Sequence, residues 1–179
     1  MPIIYYVGQK DVSIPNVLSR VYKYGTLTDI PTIRANGKIL TIDVKKRIND
    51  AWKHMEGNCA KNKSCNDYFS KLHKGMTLSD ILSSVSFTVY QLMPKEGHTD
   101  DELPLANSAG RDFALSIYAF LDQMAGTQNT TPALAATILH EIAHYAGATT
   151  NRADENALQA ENALIHCGLK QYFNPDAKG

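Results

Sequence analysis

The sequence predicts an α+β domain: a small mixed or antiparallel sheet packed on helices. Three observations carry this. Strand-type runs are gathered in the first two thirds of the chain, an Asn36-Gly37 pair separates two of them, and the last third has helical periodicity with recognisable caps. The 179 residues are 44% hydrophobic and 20% charged, which supplies a real core and is too apolar for a disordered chain. With no repeat or low-complexity tract, residues 1–179 read as one continuous domain.

Residues 3–7 (Ile-Ile-Tyr-Tyr-Val) read as a short buried strand. Asn36-Gly37, between Thr32-Ile33-Arg34 and Lys38 to Ile42, predicts a hairpin, because both residue types tolerate the positive φ that a tight turn needs. Asp43 then caps a helix in which Val44, Ile48, Ala51, Trp52 and Met55 recur at spacings of three and four, ending near Gly57. A second amphipathic segment runs from Asp67 to Lys74 with Tyr68, Phe69 and Leu72. Thr77-Leu78-Ser79-Asp80 opens a short helix to about Ser84, and Val85 to Met93 is a strand rich in β-branched and aromatic residues. Residues 94–110 offer little to bury and read as an exposed loop, with Asp100, Asp101 and Glu102 lacking the regular oxygen spacing of a calcium loop. Phe113 to Leu121 is a further strand, with helix as the alternative. Thr130-Thr131-Pro132 caps and starts a helix from Ala133 to Ala146 that Gly147 ends, and another helix runs from Asn151 to about Cys167.

Balanced charge, 18 Lys+Arg against 18 Asp+Glu, gives no reason to expect a nucleic-acid partner. No apolar run approaches the roughly 20 residues of a membrane span. The first residues lack a basic region and a long enough apolar run for a secretory signal, so export would have to be as part of a larger polypeptide, and the compartment stays open. Cys59, Cys65 and Cys167 cannot form a disulfide framework or a four-cysteine zinc site; Cys59 and Cys65 flank a polar corner as either a disulfide or two thiols, and Cys167 reads as a small buried hydrophobe.

The chemistry is carried by His140-Glu141-Ile142-Ala143-His144. On a helix His140 and His144 lie within about 40° of each other and one turn apart, so both imidazoles reach one metal ion, while Glu141 is about 100° round from His140, beside that ion. Random placement of the chain's histidines and glutamates would give this pattern about once in 150 such sequences. A catalytic zinc needs a third protein ligand and an open position for water. On a continuous helix from Asn151, Asp154 lies about 60° and Glu161 about 40° from Ala157 on the apolar side, with Glu155 about 160° away. Asp154 is the preferred ligand because it sits in the first turn after the His144 loop; Glu161 is the alternative ligand, or an acceptor behind a ligand imidazole.

On these residues the chain resembles the zincin metallopeptidases, over about its last 50 residues. The metzincin pattern would need a third His at position 150, where this chain has Thr150. It is closer to the aspzincin, or deuterolysin-like, group, in which an Asp about ten residues after the second His completes the site, although Thr150-Asn151-Arg152-Ala153 stands where that group has Gly-Thr-x-Asp. The stretch from Leu134 to Cys167 is also similar to metallopeptidase domains at the C-terminal ends of bacterial polymorphic toxins. The resemblance implies a zincin-like fold, and implies that Phe113 to Leu121 is an edge strand binding extended substrate.

The expected activity is a zinc-dependent metalloendopeptidase with Zn2+ held by His140, His144 and Asp154 and with Glu141 as general base, in the manner of a toxin or effector domain. Expected partners are a peptide, protein or peptidoglycan-peptide substrate, together with a parent polypeptide or cognate inhibitor. Alternatives are a peptidoglycan cross-link hydrolase using the same site and a catalytically silent zinc-binding protein. Tyr118, Tyr145, His98, His166, Arg111 and Tyr172 are chemically able to assist an oxyanion, and no spacing selects among them.

Overall fold

A computed structural model describes residues 3–5, 21–27, 32–35 and 37–179. The fold is α+β, and the described residues fall into two compact units, one from Ile3–Ile48 and Ser86–Thr130, the other from Asn49–Val85 and Thr131–Gly179.

The first unit is built on a five-stranded mixed sheet. Its strands are β1 (Ile3–Tyr5), β2 (Tyr22–Gly25), β5 (Phe87–Pro94), β6 (Ala106–Ala109) and β7 (Asp112–Leu115). β5 is central because apolar residues on both its faces are buried: Phe87 and Val89 on one, and on the other Tyr90 and Leu92, which join Tyr24, Leu103 and Ala114 in a core cluster. One side of β5 is shared by β1, parallel against Phe87–Val89, and β2, antiparallel against Gln91–Pro94; the other carries β7 in parallel. The hairpin across Gly37 (φ +74) forms as expected from β3 (Thr32–Ala35) and β4 (Lys38–Thr41), but it is a two-stranded sheet of its own and not part of the main one. Asn36, Tyr6 and Val7 lie outside the described residues.

Two further expectations are corrected here. The stretch 94–110 is not all loop: Thr99 and Glu102 close a capping box around a 3-10 turn at Asp100–Glu102, and Ala106–Ala109 pairs antiparallel with β7 across the two-residue turn Gly110-Arg111. The strand expected over Phe113 to Leu121 stops at Leu115, because the buried Ser116 accepts the Tyr118 N–H with its hydroxyl (3.2 Å) and turns the chain into a 3-10 segment, Ile117–Phe120. The short pair β8 (Leu121–Asp122) and β9 (Thr127–Gln128) follows. β7 is therefore flanked by β5 and β6, and among the described residues the outermost strand on that side is β6, which corrects the edge-strand expectation for Phe113 to Leu121.

The second unit is helical. α1 (Val44–His54), capped by Asp43 through the Lys46 N–H (3.1 Å), leads into it and ends in a π turn at Met55–Cys59. The predicted stripe Val44, Ile48, Ala51, Trp52 and Met55 is buried throughout. α2 (Lys63–Ser70) begins earlier than expected, because the Asn62 side chain accepts from the Ser64 and Cys65 N–H groups and so caps it. α3 (Leu78–Ser84) has the Thr77–Asp80 capping box. α4 (Thr131–Ala146) packs on α5 (Gln159–His166).

Cys65 bonds to Cys167, not to Cys59. One face of α2 decides this. Tyr68, three residues on from Cys65, stacks on His166 at 4.5 Å and donates to the Gln159 carbonyl (2.6 Å), so α2 lies along α5 with the two cysteine Cα atoms 4.5 Å apart. Cys59 is fully buried instead, and burial pushes its thiol up to about 11.

Candidate metal centre

α4 is helical for the reasons its sequence suggests. It is rich in Ala, Leu and Ile, and Leu134, Ala135, Ile138, Leu139, Ile142 and Ala143 are buried, so one face is committed to the core and the histidines take its margin. Its end is a Schellman turn: Ala148 N–H donates to the Ala143 carbonyl (2.9 Å), Gly147 N–H to that of His144 (3.1 Å), and Gly147 takes φ +117. This reversal brings the Ala148 carbonyl back over the helix end, 3.1 Å from His144 Nδ1.

The helix expected from Asn151 begins only at Gln159. Residues 151–158 are turns because their polar side chains compete for the backbone: Asn151 Oδ1 accepts the Ala153 N–H (3.0 Å) and Asp154 Oδ1 the Asn156 N–H (2.7 Å). The helical phase used to rank Asp154 therefore does not apply, and the Asp154 residue is exposed. α5 instead presents Glu161, 5% exposed, whose Oε2 lies 2.6 Å from His140 Nδ1 and whose Oε1 accepts the Asn174 N–H at 2.9 Å.

Each imidazole thus has Nδ1 against an oxygen that can only accept: a carboxylate for His140 and a carbonyl for His144. Both Nδ1 atoms carry the hydrogen, which leaves each neutral ring with a lone pair on Nε2. The two Nε2 atoms are 3.1 Å apart, and the Gly179 main-chain oxygen lies 2.8 Å from that of His144 and 3.2 Å from that of His140. In that tautomer three atoms able to offer a lone pair converge, an arrangement a cation would stabilise. A proton answers in part. Burial alone would lower the His140 pKa, but the Glu161 hydrogen bond, the charges of Glu141 and Glu161 and the Gly179 oxygen outweigh it and hold His140 above the ordinary histidine value. A metal ion would answer more fully: tetrahedral bonds of about 2.0–2.1 Å set donors roughly 3.3–3.4 Å apart, close to the 3.1 Å between the two Nε2 atoms. The donor set therefore fits zinc.

Glu141 follows His140 on the buried side of the helix, 7% exposed, with no side-chain hydrogen bond to another described residue. Its charge is felt at His140. A carboxylate without a fixed partner beside a cation site is free to accept a proton there. Among the described residues no group of three or more His, Cys, Asp or Glu side chains is arranged to hold a metal, so the site has two side-chain donors. Sequence reasoning did not place the Gly179 oxygen beside His144, because a main-chain contact across 35 residues leaves no side-chain signature.

Several of the other candidate residues have structural engagements. His98 Nδ1 pairs with Glu102 (2.8 Å), the Tyr118 hydroxyl donates to Asp101 (3.4 Å), His166 stacks on Tyr68, and Lys74 Nζ lies 4.4 Å above the Tyr145 ring. No helix is long and apolar enough to cross a membrane among the described residues. No protein-family model, curated protein or solved structure matches this chain.

Proposed function

We propose that this chain is a zinc-dependent metalloendopeptidase of zincin type, with His140 and His144 holding the ion and Glu141 as general base. The observation that carries the proposal is the convergence of two Nε2 lone pairs at 3.1 Å, each fixed by an acceptor behind its Nδ1. When bound, zinc supplies Lewis acidity and lowers the pKa of water towards about 7. Glu141 takes the proton of the attacking water and passes it to the departing amine nitrogen, so that a neutral amine leaves. Glu161 and the Ala148 carbonyl hold the imidazoles in the tautomer that binds metal. The Cys65–Cys167 disulfide supports a place of action in an oxidising compartment, as an exported effector domain would have.

Elemental mass spectrometry of the purified chain, combined with hydrolysis of unfolded casein, tests this. About one zinc per chain and measurable cleavage are expected, with Glu141→Gln keeping the metal and losing roughly 10²–10⁴-fold in rate. A chain that takes up no zinc on reconstitution, or a Glu141→Gln variant of undiminished activity, would refute the proposal.

A further inference from the structure

We infer that Gln159 is a positioning residue for His144, acting through the peptide unit that joins Ala148 to Thr149. This rests on the metallopeptidase reading, in which His144 is a metal ligand, and it gives that imidazole a support separate from the one Glu161 gives His140.

That peptide unit is bonded on both sides. Its carbonyl, on Ala148, accepts the His144 Nδ1–H at 3.1 Å, and its N–H, on Thr149, donates to the Gln159 side-chain oxygen Oε1 at 3.2 Å. A trans peptide points these two groups in opposite directions, so a rotation of the plane about its Cα–Cα axis weakens both bonds together. Rotation is otherwise the soft motion here. The Schellman turn holds the preceding unit through the Ala148 N–H on the Ala143 carbonyl (2.9 Å), but beyond Thr149 the chain has no regular structure until α5 begins at Gln159. Bonding at the N–H also polarises the unit and strengthens its carbonyl as an acceptor. An imidazole with a firm acceptor behind Nδ1 keeps its hydrogen there and leaves Nε2 for the metal.

Gln159 is itself fixed. Its N–H donates to the Asn156 carbonyl (2.9 Å) and its carbonyl accepts the Tyr68 hydroxyl (2.6 Å), so the side chain leaves a backbone anchored on α2. The first turn of α5 thus supports both imidazoles: Glu161 takes His140 directly, and Gln159 takes His144 through one peptide unit. A neutral oxygen suffices for the second task, since the Thr149 N–H asks only for an acceptor at that reach.

The test compares the parent chain with Gln159→Met, which keeps the length of the side chain and removes the acceptor, and with Gln159→Glu, which keeps the acceptor. In the metal-free chains at alkaline pH, where both imidazoles are neutral, nitrogen–proton correlation spectra of the rings read which nitrogen of His140 and of His144 carries the hydrogen. Zinc affinity is read by competition with a chromophoric chelator. Expected in Gln159→Met are a His144 shifted toward a mixture of tautomers, a His140 unchanged, and a loss of zinc affinity of about tenfold. Gln159→Glu should keep the parent tautomer of His144 and an affinity within about threefold of the parent. A His144 tautomer and a zinc affinity both unmoved in Gln159→Met would overturn the inference. So would His140 and His144 shifting together, which a general loosening of α5 produces. No zinc binding by any chain, with His144 still responding to Gln159→Met, would overturn the metallopeptidase reading and leave the hold of Gln159 on His144 standing.

Discussion

Glu161→Gln is the substitution on which the geometry of the proposed metal centre bears most directly. Glu161 accepts twice: His140 Nδ1–H at Oε2 (2.6 Å) and Asn174 N–H at Oε1 (2.9 Å). An amide has one acceptor and one donor end, so whichever way it is turned its NH2 meets another donor in a nearly closed space, and one of the two bonds is lost. The negative charge is lost as well. Partners of this kind, hydrogen-bonded behind a metal-binding imidazole, are worth about 10–100-fold in metal affinity, or roughly 1.4–2.8 kcal/mol. Zinc competition with a chromophoric chelator should therefore show a loss in that range. The metal-free chain offers a second readout. His140 titrates above the ordinary value against the opposing effect of burial, with Glu161 as the largest support, so its NMR pKa should fall in Glu161→Gln. The sign for pH follows. In the metal-free parent the His140–Glu161 pairing stabilises the fold fully below the unfolded histidine value of about 6.5 and ceases to do so as pH rises through the folded value. Zinc competes with that same proton, so its affinity should climb over the same window. An affinity within twofold of the parent, with the His140 titration unmoved, would refute the argument that Glu161 braces the site.

Asp154→Ala should leave zinc affinity within about threefold of the parent, since its carboxylate caps a turn; a loss near 100-fold in the same competition assay would return Asp154 to the ligand set. Gly147→Ala should lower stability by at least about 2 kcal/mol in denaturant unfolding, because the residue has φ +117 and an added Cβ would lie 2.6 Å from His73 Cβ and 2.8 Å from His73 N; an unchanged midpoint would show that the Schellman turn is dispensable. Reduction of Cys65–Cys167, or Cys65→Ser, should cost about 2–4 kcal/mol in guanidinium unfolding, and equal midpoints with and without reductant would contradict a bond that closes a separation of 102 residues.

Where a signal was local, the sequence alone determined the outcome. The stripe of α1, the helix start at Thr77, the turn at Gly37 and the span of α4 depend on side chains within a few residues of one another, and the structure has them where periodicity and caps put them. The 100° helical step also fixed that His140 and His144 face one point once α4 forms. β6 escaped notice because Ala106-Asn107-Ser108-Ala109 has no apolar alternation, and its one local sign was Gly110 in a two-residue turn before Asp112.

The structure decided what depends on partners distant in the chain. Cys65 met Cys167 because α2 lies along α5, and six residues of separation from Cys59 had no bearing on that. Asp154 lost its helical phase because Asn151 and its own carboxylate bonded the neighbouring backbone, a choice between helix and turn that periodicity cannot weigh. Glu161 and Gly179 reached the histidines through packing and a returning segment. A sequence pattern records which faces a residue can present, but which groups meet there is settled by the energy of burying and bonding the whole surface at once.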